Sequence, residues 1–423
     1  MGDPLVPSVA PTVRAAALLA VISCSALILP AGAVIAAALI LLAVAAADAW
    51  AVREAPVVER TLGRVLSRGA RSALSVRVAS ADHRRVLLRQ PATPDLRVEA
   101  TTSGNELEGW VTARRRGRHV LPPVASASLG PLGLARVHHR PGPVEYVRAY
   151  PDLAAARSLL LRLRPGATGN PGGLARGPLG LGTDFEAVRD YSPSDDIRQL
   201  NWRATARLGR PMSNQYRVER DRDVVCVLDS GRLMGAPIGS KTMLDAALDA
   251  VAVIALAADE LGDRCGAVAF DSAVRRALSP RHRGGRDVIE ALFELEATSL
   301  DSDFEGAFTR VGASRRAFVL VLTDLIDESA ARSLIAGMPM LARRHAVVVA
   351  SAVDPALAEL TTSPPATPAR VAGAVVALDV LEARAAAALR LRRAGAEVLE
   401  APGEELAGRC LSAYLRAKAR ARL

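Results

Sequence analysis

The first pattern along the chain is an absence: between Ala15 and Ala47 no charged residue occurs. As helix this stretch would measure about 50 Å, against a bilayer hydrocarbon core of about 30 Å. One straight span would be too long, and Pro30 and Gly32 interrupt the middle. The pattern predicts a transmembrane helical hairpin within residues 1–53, with short spans over about 14–29 and 31–48. Arg14 precedes the pair and Arg53 follows it, so the positive-inside rule places both ends in the cytoplasm. A cleaved signal peptide accounts for the first apolar half but leaves the second unexplained.

Beyond the apolar stretch the periodicity shortens. Residues 57–150 carry brief alternating runs such as "ALSVRVAS", "EGWVTARR" and "VEYVRAY" between Gly, Pro and Ser. That spacing predicts a small β-sandwich-like region. His138 and His139 are neighbours on one such run and would face opposite ways, which reads as surface histidines rather than a metal pair. Residues 151–182 then give a helix, "AAARSLLLRLR", and a linker rich in Gly and Pro.

From 223 to 423 the pattern alternates between apolar strands and helices. "VVCVL", "CGAVAF", "AFVLVL", "HAVVVASAV" and "AEVLEA" are strand-like, and "TMLDAALDAVAVIALAADEL" and "LDVLEARAAAALRLRRAG" are the longest helical runs. Continuous apolar strands separated by helices predict a doubly wound α/β domain with a mostly parallel sheet. Ligands in such sheets sit beyond the carboxyl ends of the strands. Two carboxylates fall there, Asp229 in "VLDSGRLM" and Asp324 in "VLTDLID".

These two positions resemble the von Willebrand factor A domain, whose first strand leads into Asp-x-Ser-x-Ser and whose fourth ends in a second Asp. The resemblance implies a Mg²⁺ site of hard oxygen ligands. Here Gly231 and Leu233 stand where the two hydroxyls belong, and Ser302 is the nearest match for a third, loop-borne ligand. The metal site is therefore expected to be degenerate, with Asp229, Ser302 and Asp324 as its remnants, no cofactor expected and Mg²⁺ the open alternative. "GAPIGSKT" misses the phosphate-loop pattern at Ser240 and starts six residues beyond Asp229.

Composition adds limits. The chain has 423 residues, a net charge of +10 and only 3% aromatic residues. Nearly all cations are Arg, spread through every segment, with Lys only at 241 and 418, and no basic run is interleaved with aromatics. No nucleic-acid partner is expected. The four cysteines lack metal-ligand spacing or close pairs, which fits a reducing cytoplasm.

Residues 183–222 are the densest in polar and aromatic groups. "DDIRQLNWRATARLG" has the spacing of a helix from Asp195 to Gly209, with Asp195 and Asp196 in its first turn and Gly209 and Pro211 ending it. Asp184, Arg189, Tyr191, Asp195, Asp196, Arg198, Asn201, Trp202, Arg207 and Glu219 together resemble the signature of the domain of unknown function 58 family. That resemblance implies bacterial proteins with N-terminal membrane helices, a von Willebrand factor A-like domain and frequent association with MoxR-type AAA+ ATPases. It implies no established reaction.

The segment offers no nucleophile–base pair, and its alternating Arg and Asp suit ion pairs that fix or present a surface. The expectation is a multi-pass protein of the bacterial cytoplasmic membrane, its soluble domains in the cytoplasm. It would be a non-enzymatic adaptor in contact with the lipid bilayer, working with a MoxR-type ATPase in protein-complex assembly or remodelling. A Mg-dependent or nucleotide-binding switch or enzyme, and a structural envelope protein without an ATPase partner, remain the alternatives.

Overall fold

The computed structural model describes residues 8–79, 85–161, 184–192, 200–217, 222–312, 315–325, 328–362 and 367–419, in two compact units, Met1–Tyr150 and Pro151–Leu423.

In the first unit, strand β1 (Ser8–Pro11) leads into helices α1 (Val13–Cys24) and α2 (Ala31–Trp50), joined by a 3-10 turn at Ser25–Leu27. Thr12 caps α1, its hydroxyl accepting from Ala15 N. Among the described residues only α2 is long and apolar enough to cross a membrane. Expecting two spans overestimates the first: α1 and its turn cover Val13–Leu27, about 22 Å of rise, before the chain turns into Pro30.

Strands β2 (Val58–Leu62), β3 (Val65–Ser67), β4 (Arg71–Val78), β5 (Val86–Arg89), β6 (Leu96–Ser103), β7 (Glu106–Ala113), β8 (Gly117–Leu121), β9 (Ala125–Leu129), β10 (Ala135–His139) and β11 (Glu145–Tyr150) complete the unit. They form sheets of order β1-β10-β9-β5, β3-β11-β8 and β2-β4-β7-β6. Inward residues at alternate positions, among them Leu74, Val76, Leu107, Val111, Leu121 and Val147, make one core. Arg60 on β2, its side chain 5% exposed, reaches Gln90, Glu145 and the carbonyls of Pro122 and Pro143. His139 is buried, contrary to the surface reading, because it caps the chain leaving α2: its Nε2 lies 3.1 Å from Val52 O. His138 is exposed.

The second unit opens with α3 (Leu153–Leu161), the antiparallel pair β12 (Asp184–Asp190) and β13 (Met212–Arg217), and between them α4 (Trp202–Leu208). There follow β14 (Asp223–Asp229), the short strands β15 (Pro237–Ile238) and β16 (Lys241–Thr242), α5 (Met243–Leu261), β17 (Arg264–Phe270), β18 (Val274–His282), α6 (Gly285–Leu292) and α7 (Phe304–Gly312). The unit ends with β19 (Ala317–Leu322), α8 (Glu328–Ala342), β20 (Ala346–Val353), α9 (Pro355–Thr362), α10 (Pro368–Arg393), β21 (Glu397–Pro402) and α11 (Leu406–Ala419).

The main sheet runs β18-β17-β14-β19-β20-β21, parallel except for β18. Its order reverses at β14, which pairs with β17 on one side and β19 on the other. One face packs on α7, α8 and α10 through Val225, Val227, Val319, Val321, Phe304, Phe308, Leu334 and Leu391. The alternate residues face α5 and α11, with the Phe318 and Tyr414 rings 5.3 Å apart. Both faces are covered, so every residue of β14 is buried, as the continuous apolar run requires.

At the amino end of the sheet, Asp263 accepts from Arg222 N, the Tyr414 hydroxyl and Lys418 Nζ, the last at 2.5 Å. His345 also lies at this end. Its Nδ1 accepts from Ala317 N at 3.2 Å, which puts the proton on Nε2, an atom buried without a partner among the described residues. Burial, then the nearby Arg344, hold the imidazole below its ordinary 6.5. The unfolded chain therefore takes up this proton first, and the stability His345 allows is present above about 6.5 and lost as the pH falls below it. The urea midpoint is expected to decline over that window, and His345→Asn, whose Oδ1 can meet Ala317 N, is expected to flatten the decline.

Candidate functional site

The carboxyl ends of β14 and β19 flank the point where the sheet order reverses, the usual ligand crevice of such sheets. Asp229 is the last residue of β14, and Asp324 lies two residues beyond β19; both are buried. Asp229 Oδ1 accepts from Gly231 N at 2.7 Å and from Ser302 Oγ at 2.5 Å, and its Oδ2 accepts from Thr323 Oγ1 at 2.7 Å. The loop after β14 is stitched down as well. Ser230 gives both its N–H and its hydroxyl to Phe270 O, and Arg232 N donates to Leu300 O. Arg232 itself reaches outward to Asp301 rather than to either strand-end carboxylate.

Asp324 has a partner that the strand-end motif does not contain. Arg384, on the buried face of α10, places Nη1 at 2.7 Å from Asp324 Oδ1. Its Nη2 donates to Ser351 Oγ and Ala352 O, and its Nε donates to Glu400. The guanidinium and the Asp324 side chain are 2% and 1% exposed. One side chain thus joins α10 to the ends of β19, β20 and β21. The sequence does hold a signal for it: Arg384 shares its helical face with the buried Ala377, Ala387, Ala388 and Leu391, a lone cation in an apolar stripe.

Burial pushes both carboxyls above the ordinary 3.8. For Asp229 the hydrogen bonds from Ser302, Thr323 and Gly231 oppose the rise and the Asp271 charge adds to it; for Asp324 the Arg384 charge is the chief opposing influence.

Mg²⁺ asks for near-octahedral oxygens at about 2.0–2.1 Å. The residues present do not fit it. A Cβ at Gly231 would lie 2.1 Å from Ser302 Oγ, so position 231 has neither an oxygen nor room for one, and Leu233 supplies none. Arg384 already sets a positive charge on Asp324. Among the described residues Asp324 Oδ2 is buried without a hydrogen-bond partner, one acceptor that the guanidinium leaves over. Among the described residues no group of three or more His, Cys, Asp or Glu is arranged to hold an ion. The phosphate-loop near-motif folds otherwise too: Pro237–Ile238 and Lys241–Thr242 form a tight hairpin, with Lys241 Nζ 3.2 Å from Asp249 Oδ2. Both histidines of this unit lie at the other end of the sheet, His345 beside Ala317 and His282 paired with Arg264.

The signature segment is a different structure from the expected long helix. Leu200 bridges to Ser213 and Asn201 is extended, so α4 starts only at Trp202. Asn201 is its N-cap, accepting from Ala204 N at 2.9 Å, and its Nδ2 donates to Asn214 on β13. Gly209 closes the helix with a φ of 68°, a left-handed conformation suited to glycine. Asp184 and Arg189 lie on β12 and Tyr191 just after it, its N–H bonded to Pro211 O. Trp202 is 71% exposed, and Arg203 and Arg207, four residues apart on α4, are exposed too. Asp195, Asp196, Arg198 and Glu219 lie outside the described residues.

Residues 187–395, from within β12 to just past α10, match the family model described as "Protein of unknown function DUF58". This span holds Asp229, Ser302, Asp324 and Arg384 together with the exposed α4. Among individual proteins, "Uncharacterized protein Rv1480" of Mycobacterium tuberculosis is 26% identical over 223 residues, 50% of this chain and 68% of that protein. "Uncharacterized protein Mb1516" of Mycobacterium bovis aligns with the same identity and coverage.

Two substitutions separate the carboxylates. Arg384→Met strands a buried charge on Asp324 and is expected to cost about 3–5 kcal/mol in urea unfolding, with most of it recovered in the Arg384→Met/Asp324→Asn double variant. Asp229 behaves oppositely. Its raised carboxyl contributes stability below the ordinary 3.8 that is lost as the pH rises through the folded value. Asp229→Asn is therefore expected to hold or raise the urea midpoint at pH 7, with the Thr323 hydroxyl turning toward Asp324 O, 3.4 Å away.

Proposed function

We propose that this chain is a membrane-tethered, non-enzymatic adaptor. Its α/β unit would be a von Willebrand factor A-like domain with a degenerate metal site. The observation that carries this reading is Arg384 on Asp324. With one carboxylate neutralised from inside and the other enclosed by Ser302, Thr323 and Gly231, the strand ends hold elements together and present neither a nucleophile–base pair nor an open coordination position. The sheet order, reversing at β14 with an antiparallel edge, supports the fold assignment.

Contact with a partner falls instead to the exposed part of the signature. Trp202 and, on another face, Arg203 and Arg207 four residues apart are exposed on a short helix held by its caps and by Asn214, residue types enriched in interface hot spots. The partner we propose is a MoxR-type AAA+ ATPase, as the family resemblance implies, acting in protein-complex assembly or remodelling. The apolar N-terminal helices would form a hairpin in the cytoplasmic membrane, with both soluble units in the cytoplasm.

Crosslinking followed by affinity purification of the full chain from detergent-solubilised membranes is expected to recover the ATPase. Trp202→Ala and Arg207→Glu are each expected to cut that recovery about tenfold, roughly 1.4 kcal/mol. Repeated failure to recover an ATPase sinks the adaptor. Calorimetry addresses the rival switch or enzyme: tight Mg²⁺ or ATP binding abolished by Asp229→Ala or Lys241→Ala would replace this proposal with that one.

A further inference from the structure

Asp48 is the only charged residue of α2, two positions before its end, yet it is 3% exposed. Its carboxylate accepts three backbone N–H groups from the β9–β10 loop: Leu132 at 2.7 Å, Leu134 at 2.8 Å and Ala135 at 2.9 Å. The loop comes so near that a Cβ on Gly130 would lie 2.3 Å from Asp48 Cγ. The start of α1 is fastened to the same loop, Thr12 giving its hydroxyl to Gly133 O and its N–H to Leu134 O. Strand β1 then pairs with β10 along its length. Both helices therefore rise from one loop of the β unit, with no free tether between helix and sheet.

The side chains around this base form a belt. Trp50 is 67% exposed, with the Arg53 guanidinium 4.0 Å from its ring centre. Val13 and Leu132 are 87% and 58% exposed, and Arg14 lies against Gly133. Apolar groups and a tryptophan flanked by arginines, at the end of an apolar helix of membrane length, match the chemistry of the boundary between acyl chains and headgroups. Leu132 projects from the loop that Asp48 holds, so it enters whatever medium surrounds the end of α2.

We propose that the Gly130–Leu134 loop is a membrane foot. Leu132, with Val13 and Trp50, would enter the bilayer interface, Arg14 and Arg53 would meet lipid phosphates, and Asp48 would lock the β unit flush against the membrane. This rests on the anchor reading above and goes beyond it by assigning a second, β-unit surface to lipid. Continuity with α2 selects the bilayer over a protein partner: the belt begins where the apolar helix ends. The cost of a carboxylate beside lipid is offset by the three N–H donors, which water would otherwise supply.

The test uses the full chain with Cys24→Ser and a single new cysteine, in vesicles of phosphatidylcholine and phosphatidylglycerol. The remaining cysteines are buried. An environment-sensitive fluorophore at Leu132→Cys is expected to report an apolar medium. It should be quenched by shallow spin-labelled lipid severalfold more than a label at Glu108→Cys, exposed on β7. Asp48→Ala, or Gly130→Ala, which keeps the carboxylate but crowds it, should bring the 132 label to the level of the 108 label while the chain still resists carbonate extraction. A 132 label that reads water in a carbonate-resistant chain overturns the foot and leaves the anchor standing. A label still in lipid in both variants overturns the role of Asp48, and a wild-type chain extracted by carbonate overturns anchor and foot together.

Discussion

A guanidinium and a carboxylate with almost no access to water hold the far end of the main sheet together. Arg384 reaches from α10 to Asp324 beyond β19, to Ser351 and Ala352 on β20, and to Glu400 on β21. Two of these contacts are ion pairs and two are hydrogen bonds to neutral oxygens; jointly they fix the spacing of the strand ends in which the crevice would open. Buried ion pairs contribute little net stability compared with apolar residues of the same size, but they penalise every arrangement in which a partner is missing. The pair therefore specifies geometry more than it adds free energy, and the rest of the crevice follows from that geometry. Asp229 turns inward to Ser302 and Thr323, and the loop at Gly231 closes over the gap where a larger residue would collide with Ser302.

The parts of this architecture that could be read from the sequence are those in which one periodicity dominates. β14, β19 and β20 are short apolar runs buried on both faces, and α5 is a long run that caps itself through Thr242 and Asp245. The two strand-end carboxylates were legible because a charge that ends an apolar strand has few structural explanations. Arg384 is harder to read: its place in the apolar stripe of Ala377, Ala387, Ala388 and Leu391 is a signal, but a weak one on a helix that also carries Arg390, Arg392 and Arg393. β12 is not legible, since "DFEAVRD" is too polar to suggest a strand; its pairing with β13 supplies what its side chains do not. The helix in that segment is shorter than its sequence suggests, because helical spacing continues through Leu200 and Asn201. A bridge to Ser213 and an extended cap outweigh that spacing.

Within the first unit the same rule governs histidine and aspartate. Two adjacent histidines in a strand look equivalent in sequence, but only His139 faces the chain leaving α2, where Val52 offers a carbonyl. Asp48 looks like a helix-end acid, a residue that the helix dipole disfavours at a carboxyl terminus. The loop N–H groups reverse that preference, and glycine at position 130 makes the reversal possible by letting backbone approach the carboxylate. Neither fact is local to its own stretch of chain, which is why neither could be inferred from neighbours in sequence.

At the opposite end of the main sheet, the cluster around Asp263 bears on the order in which the unit can assemble. Asp263 follows α5, early in the unit, while Tyr414 and Lys418 belong to α11, which is synthesised after every strand of the sheet. During translation β14 and β17 exist for some time beside a carboxylate whose lysine has not been made. Without α11 that carboxylate would have water in place of Tyr414 and Lys418, so burial of the amino end of the sheet depends on the last helix. The partners of Asp263 come from both ends of the unit, Arg222 just before the first strand of the sheet and Tyr414 and Lys418 on its last helix, so the amino end of the sheet is closed only when α11 is in place.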